Sequence, residues 1–218
     1  MFSLSINDNI FSLHAGKAVY WPSEKTLFVA DTHFSKDAVF RSQGIALPSG
    51  NNLSDLNRLS EIVLELDVDR LLVLGDFTHG KMSNRDPFID EFATWRNSYS
   101  QLSFEVVAGN HDRHLDKSLI DGIIWHKTLY EQGFHFVHEP EEAEKHSFFF
   151  AGHIHPAYTL RVDRSDTLRM PVFWQSPIGL VLPSFGGFTG GYNIKPSARD
   201  RLFGSLGKDV LQIYGDVV

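Results

Sequence analysis

Two apolar rhythms alternate along the first half of the chain. Thr26–Ala30 is a short, nearly continuous apolar run, the pattern of a buried strand. Leu53, Leu56, Leu59, Val63 and Leu66 then recur at three- and four-residue steps, which predicts a helix with one buried face. Leu71–Leu74 returns to the strand pattern, Phe88, Phe92, Trp95 and Tyr99 to the helical one, and Phe104–Ala108 to the strand pattern. The aromatic stripe reads as core rather than as a platform for a base. This alternation predicts an α/β layered core. Ahead of it, Phe2–Ile6 and Ile10–His14 flank an Asn-Asp-Asn turn, a hairpin signal, and Lys17–Trp21 adds a further strand.

The second half changes character. Gly133 interrupts Leu129–Val137, predicting a hairpin, and Phe148–Ala151 reads as a strand. Short alternating segments run between glycines and prolines from Tyr158 to Tyr192, and Val210–Tyr214 reads as a last strand. This half is expected to be mainly antiparallel sheet packed against the first. No repeat, low-complexity tract or linker intervenes, so one domain over residues 1–218 is expected.

Composition narrows the chemistry. The chain has no cysteine, which excludes disulfides and thiolate metal sites and fits a reducing cytoplasm. No apolar run approaches the ~20 residues of a membrane helix, and MFSLSINDNIF lacks the basic start and apolar stretch of a signal peptide. A cytoplasmic protein is therefore expected. The formal charge of -7 argues against tight, non-specific nucleic-acid binding, although a local basic rim is compatible with it. The eleven histidines cluster in short, glycine-flanked motifs.

Those motifs sit at strand ends: Asp31-Thr32-His33, Gly75-Asp76, Gly109-Asn110-His111-Asp112, His138, and Gly152-His153-Ile154-His155. In α/β sheets, ligand sites lie beyond the carboxyl ends of the strands. Asp31 and His33 are two apart, so on an extended segment they point the same way and can grip one cation. Asp76 can bridge two cations, Asn110 supplies a neutral oxygen, and His153 and His155 repeat the two-residue spacing. Such a nitrogen and oxygen set suits Mn, Fe, Zn or Ni better than Ca or Mg. Two ions ~3.5–4 Å apart clamp a phosphoryl group and activate water. His138 is preferred to His135, which strand alternation puts on the opposite face. Each position alone also fits a helix cap, a turn or a surface histidine; the ordered set does not. Arg41 and Arg113 are candidate phosphate contacts through paired donors, and Arg85 reads as a solvated charge. His79, His114, His126 and His146 read as surface or core histidines, with a supporting or substrate role open for His79 and His114. Gly186–Gly191 reads as tight turns, with a place on the site rim open.

Asp-x-His, Gly-Asp, Gly-Asn-His-Asp, a lone His and Gly-His-x-His, in this order, resemble the calcineurin-like metallophosphoesterase superfamily. The resemblance implies a four-layer αββα sandwich, two mixed β-sheets flanked by helices. It implies a first metal on Asp31, His33, Asp76 and His155, and a second on Asp76, Asn110, His138 and His153. His111 would face the substrate and protonate the leaving group, with Asp112 behind it, orienting it. A narrower resemblance rests on Phe40-Arg41-x-x-Gly44-Ile45 with Pro48 and Gly50, and on Gly75-Asp76-Phe77-x-His79. It extends through His138-Glu139-Pro140, Gly152-His153-x-His155-Pro156, Phe173-Trp174 and Leu182-Pro183-x-Phe185-Gly186-x-Phe188-Thr189-Gly190-Gly191. This set is similar to the bacterial ligase-associated DNA damage response endonucleases, the PdeM family.

The expectation is therefore a phosphoesterase with two divalent ions, Mn ahead of Fe, Zn and Ni. Its substrate would be a phosphodiester, with DNA in damage response implied by the resemblance, as are DNA ligase and helicase partners. The rival expectations are a nucleotide pyrophosphatase or phosphomonoesterase, and a non-catalytic adaptor on the same scaffold.

Overall fold

The computed structural model describes residues 1–42, 44–46, 50–163 and 165–216; Pro48, one residue of the narrower motif, lies outside them. The chain opens with β1 (Phe2–Ile6), β2 (Asn9–His14), β3 (Ala18–Trp21) and β4 (Thr26–Ala30), followed by helices α1 (Lys36–Ser42) and α2 (Asn51–Leu66). Then come β5 (Arg70–Leu74), α3 (Pro87–Ser98), β6 (Ser103–Val107) and β7 (Ile124–His126). These seven strands form one sheet in sequence order, antiparallel from β1 to β4 and parallel from β4 to β7.

The strand runs are continuously apolar because both faces are covered. Leu27, Val29, Leu71, Val73, Phe104 and Val106 face α2 and α3. Phe28, Ala30, Leu72, Leu74 and Val107 face the second sheet. Helix α2 meets the first of these faces through Leu56, Leu59, Ile62, Val63 and Leu66. Leu53, expected on the same stripe, is exposed in the first turn of the helix, which begins at Asn51. Helix α3 starts where Asp86 accepts a hydrogen bond from the Phe88 amide and Pro87 presets the first turn.

The second sheet comprises β8 (Leu129–Glu131), β9 (Phe134–Phe136), β10 (Phe148–Ala151), β11 (Pro156–Arg161), β12 (Thr167–Ser176), β13 (Gly179–Val181), β14 (Tyr192–Asn193), β15 (Arg201–Leu206) and β16 (Asp209–Tyr214). Its order is β14-β11-β12-β13-β10-β9-β8, with β15 on β12 and β16 on β15. This half is mainly antiparallel, as expected, but β10 is parallel to both its neighbours, β9 and β13, and β11 to β14. Between the sheets Phe136 and Phe150 pack against Phe28, and Phe134 against Phe11 and Trp21. The fold is thus two mixed sheets face to face, with few helices. Among the described residues no α-helix follows Ser98, and the outer face of the second sheet packs with Ala143 and Ile194 from a 3-10 turn and a loop.

Candidate metal centre

Parallel pairing brings the polar strand ends together. Ala30, Leu74 and Val107 stand in register at the ends of β4, β5 and β6, so Asp31, Asp76 and Asn110 leave the sheet side by side. His138 and His153 leave the parallel pair β9 and β10 of the other sheet.

Asp31 and His33 do not converge by strand alternation, as the sequence suggested. Both are left-handed, with φ of 53° and 47°, and so are Asp76 (47°), His153 (68°) and His155 (50°). Such a backbone costs of order 1–3 kcal/mol per non-glycine residue and persists where the surroundings impose it. Here the turns are held by hydrogen bonds from the Asp31, His33 and Phe34 amides to the Gly75, Asp76 and Phe77 carbonyls, at 3.1, 2.8 and 2.9 Å. Two glycines let the walls close. A Cβ on Gly75 would lie 1.9 Å from His138 Nδ1, and one on Gly152 would lie 2.6 Å from Asp31 Oδ2 and 2.7 Å from the Leu74 carbonyl. Gly152→Ala should therefore push Asp31 aside and weaken Mn²⁺ binding ~10–100-fold, the scale seen when groups that orient ligands are lost. Isothermal titration with Mn²⁺ checks this; parent-like affinity would mean that Asp31 does not depend on that approach.

The donor atoms have the spacing of a coordination shell. Metal–ligand bonds of ~2.0–2.2 Å put neighbouring ligand atoms ~3.0–3.5 Å apart. His33 Nε2 lies 3.3 Å from His155 Nε2, which lies 3.3 Å from Asp31 Oδ1. His138 Nε2 lies 3.0 Å from Asn110 Oδ1, 3.2 Å from His153 Nδ1 and 3.5 Å from Asp76 Oδ1. Asp76 Oδ2 lies 3.8 Å from His33 Nε2, so its carboxylate faces both sets. Among the described residues three groups could each hold a cation: Asp31-His33-His155, Asp31-Asp76-His138 and, at the open edge, His33-His79-His111. Asp31 and Asp76 are buried, and burial raises the Asp76 carboxyl above its usual range, with His138 and the His111 amide opposing. Divalent cations would offset this crowding of carboxylates, so the residues fit the ions the motifs imply.

The imidazoles are set for coordination by what lies behind them. Burial, with the His155 charge, pushes His33 down to about 2, leaving the neutral form that binds metal. With Nε2 facing the site, its Nδ1–H donates to His79 Nδ1 at 3.3 Å. His138 Nδ1–H donates to the Leu74 carbonyl at 3.3 Å, and His155 donates to the Gly190 carbonyl. Burial opposes the charged His155, but the Asp31 carboxylate prevails and its pKa is raised.

His111 borders the donors at the open edge, its Nε2 3.8 Å from Asp76 Oδ2. Its amide donates to Asp76 Oδ1 at 2.9 Å, while its ring stacks on His79 with centroids 4.7 Å apart and remains 35% exposed. Asp112, expected to orient that ring, commits its carboxylate to three backbone amides, Phe77 at 3.2 Å, Thr78 at 3.0 Å and Gly109 at 2.9 Å. It shapes the turn that carries His111. His79, for which the sequence left a supporting or substrate role open because it follows Gly75-Asp76 closely, is in the site; its partners His33 and His111 are far off in sequence. Of the candidate phosphate contacts, Arg41 pairs with Asp37 on its own helix at 2.8 Å. Arg113 lines a different cleft, with Lys117, Trp125 and Lys127, that starts at Gly109. His135 accepts from the Glu144 amide, away from the donors.

The sequence model of the calcineurin-like phosphoesterases matches residues 24–178. Among solved structures the chain is similar to the nuclease MPE of Pseudomonas putida, with 30% identity and a TM-score of 0.82 over 97% of this chain and 99% of that one. It is also similar to Yfce, a phosphoesterase from E. coli, with 15% identity and a TM-score of 0.49 over 86% and 97%. No curated protein sequence matches the chain.

Proposed function

Because the chain belongs to the calcineurin-like phosphoesterase family, and so is a metal-dependent phosphoester hydrolase, we propose that it is a binuclear phosphodiesterase that cuts DNA. The observation that carries this reading is the arrangement around Asp76. Its two oxygens face two different donor sets, and one imidazole, His111, stays beside them half open to solvent.

In this reading Asp31, His33, Asp76 and His155 hold one ion, and Asp76, Asn110, His138 and His153 the other. Mn²⁺ is the proposed pair, in keeping with the nitrogen and oxygen donors. When bound, the two ions supply Lewis acidity, lowering the pKa of water toward ~7 and neutralising charge on the phosphoryl oxygens. The chain does the rest. Its turns fix the donors in advance, so little reorganisation is left for the reaction itself. His79 holds His33 in the tautomer that presents Nε2. His111, outside both of these donor sets, is placed to deliver a proton to the departing oxygen. Asp112 acts as a positioning residue through the Phe77, Thr78 and Gly109 amides. Residues 1–218 work as one domain, since the donors come from both sheets.

The choice of a nucleic acid draws support from the P. putida relative, whose name is nuclease and which aligns with nearly the whole chain, and the choice of DNA rests on the PdeM resemblance. A place in DNA repair beside a ligase and a helicase rests on the PdeM resemblance. Among the described residues no helix is long and apolar enough to cross a membrane. A Mn²⁺ panel of single-stranded DNA, duplex DNA, RNA and nucleotides, with an EDTA control, tests the proposal. Metal-dependent scission of DNA is expected; hydrolysis of monoesters or dinucleoside polyphosphates alone would overturn it.

A further inference from the structure

After β13 the chain leaves its sheet and runs past the donors. Ser184 forms a bridge with Ala30, and the Phe185 and Gly186 amides donate to the Ala30 and Asp31 carbonyls at 2.7 and 3.2 Å. Helix α2 anchors this segment. Asp55 accepts from the Gly187 amide through both oxygens, at 3.2 and 3.0 Å, and Arg58 pairs with Asp55 at 2.9 Å while lying over the Phe185 ring. Between the segment and strands β11 and β12 opens a cleft of about 140 Å³, which His155 shares with the donor set. That is the volume of roughly four to five waters at ~30 Å³ each, room for one phosphodiester group.

Two cations line the cleft. Lys17 Nζ lies 3.4 Å from the Gly186 carbonyl, and Arg169 donates to the Gly191 carbonyl. Among the described residues no carboxylate lines it, in a chain with 27 acidic and 20 basic residues. Asp55 lies behind the wall, already paired with Arg58. Burial, and then the Arg58 charge, pull the Lys17 ammonium down to about 8 against the weaker opposing pull of the Asp55 carboxylate, and the residue sits at a left-handed φ of 65°. The fold thus holds a cation where its charge is poorly solvated and only partly balanced by Asp55, a cost that a bound anion would offset.

We infer that this cleft is a phosphate subsite, in which Lys17 and Arg169 grip a backbone phosphate of a polynucleotide beside the one being hydrolysed. The inference rests on the nuclease reading and adds to it how a strand is told from a small diester. Arginine's planar fork matches phosphate, and lysine adds a point charge. A small diester has no second phosphate to place there; a strand has one at every step.

Fluorescence anisotropy of a labelled phosphorothioate twelve-nucleotide DNA, which resists hydrolysis, tests this on the Mn²⁺-loaded chain. Lys17→Met and Arg169→Gln should each weaken binding severalfold. Each should also reduce the slope of log K against log salt by ~0.7, the value of one single-strand phosphate contact. Lys17→Arg, which keeps the charge, should restore most of the affinity. Lys17→Met should also melt at or above the parent's Tm, since it removes an unfavourably placed charge. A lower Tm with unchanged DNA binding would make Lys17 a structural residue and overturn the inference. So would parent-like salt slopes in both variants, or no DNA binding by the parent. Loss of tripolyphosphate binding with DNA binding intact would also overturn it, in favour of a nucleotide site. Because binding is read without turnover, a parent that grips DNA but never cuts it fails the nuclease reading alone.

Discussion

Asp76→Asn is expected to abolish the thermal response to Mn²⁺ and lower kcat/KM on bis-p-nitrophenyl phosphate at least ~10³-fold. The parent, with metal at about a hundred times its Kd, should gain ~2.7 kcal/mol from binding, which for a chain of this size is ~5–10 °C in Tm. Asn keeps the oxygen that accepts from the His111 amide, so the turn stays formed, while the charge that faces both donor sets is lost. The ~10³-fold figure corresponds to ~4 kcal/mol, the several kcal/mol that metal-ion catalysis supplies. A Tm curve in EDTA that overlays the parent's would show that the variant folds. A parent-sized Mn²⁺ shift in Asp76→Asn would rule out its place between the two sets.

His111→Ala should behave in the opposite way. It should bind Mn²⁺ like the parent, because its ring lies outside the two proposed donor sets, yet lose ~10²–10⁴-fold in kcat, the range for a positioned general acid. The loss should be smaller for substrates with good leaving groups, since p-nitrophenolate departs without a proton and an alkoxide does not. Comparing bis-p-nitrophenyl phosphate with a methyl p-nitrophenyl diester and an unactivated dinucleotide reads that dependence. Equal losses across the series would remove the proton from its role and leave His111 as a charge stabiliser.

The sequence spoke clearly wherever one side chain's chemistry met one strand's end. Thr26–Ala30 and Phe148–Ala151 were readable to the residue, because runs buried on both faces carry no polar interruption. The donors were readable as a set for the same reason: a carboxylate or imidazole after such a run has few bland uses. Other features depend on partners distant in sequence. Nothing local in Phe148–Ala151 tells whether β10 runs with or against β9 and β13. The seven-residue α1, the three-residue β7, and β15 with Gly204 at its centre are too short or too broken for a periodic signal. His79 is marked by contacts to His33 and His111, and Asp112 by three backbone amides, none of which leaves a trace in spacing. The left-handed turns at Asp31 and His33 were masked by the residue types themselves, since a reader expects glycine there.

Asp31, His33, Asp76 and Asn110 follow strands of one sheet, and His138, His153 and His155 flank strands of the other. Ions gripped between them would act as rivets across the interface, and a chain with only its first half folded could not retain them. Uptake would then have to wait until the two layers dock. Once loaded, the amides of β9 and β10 should exchange their hydrogens more slowly, since those strands could no longer lift away without breaking coordination.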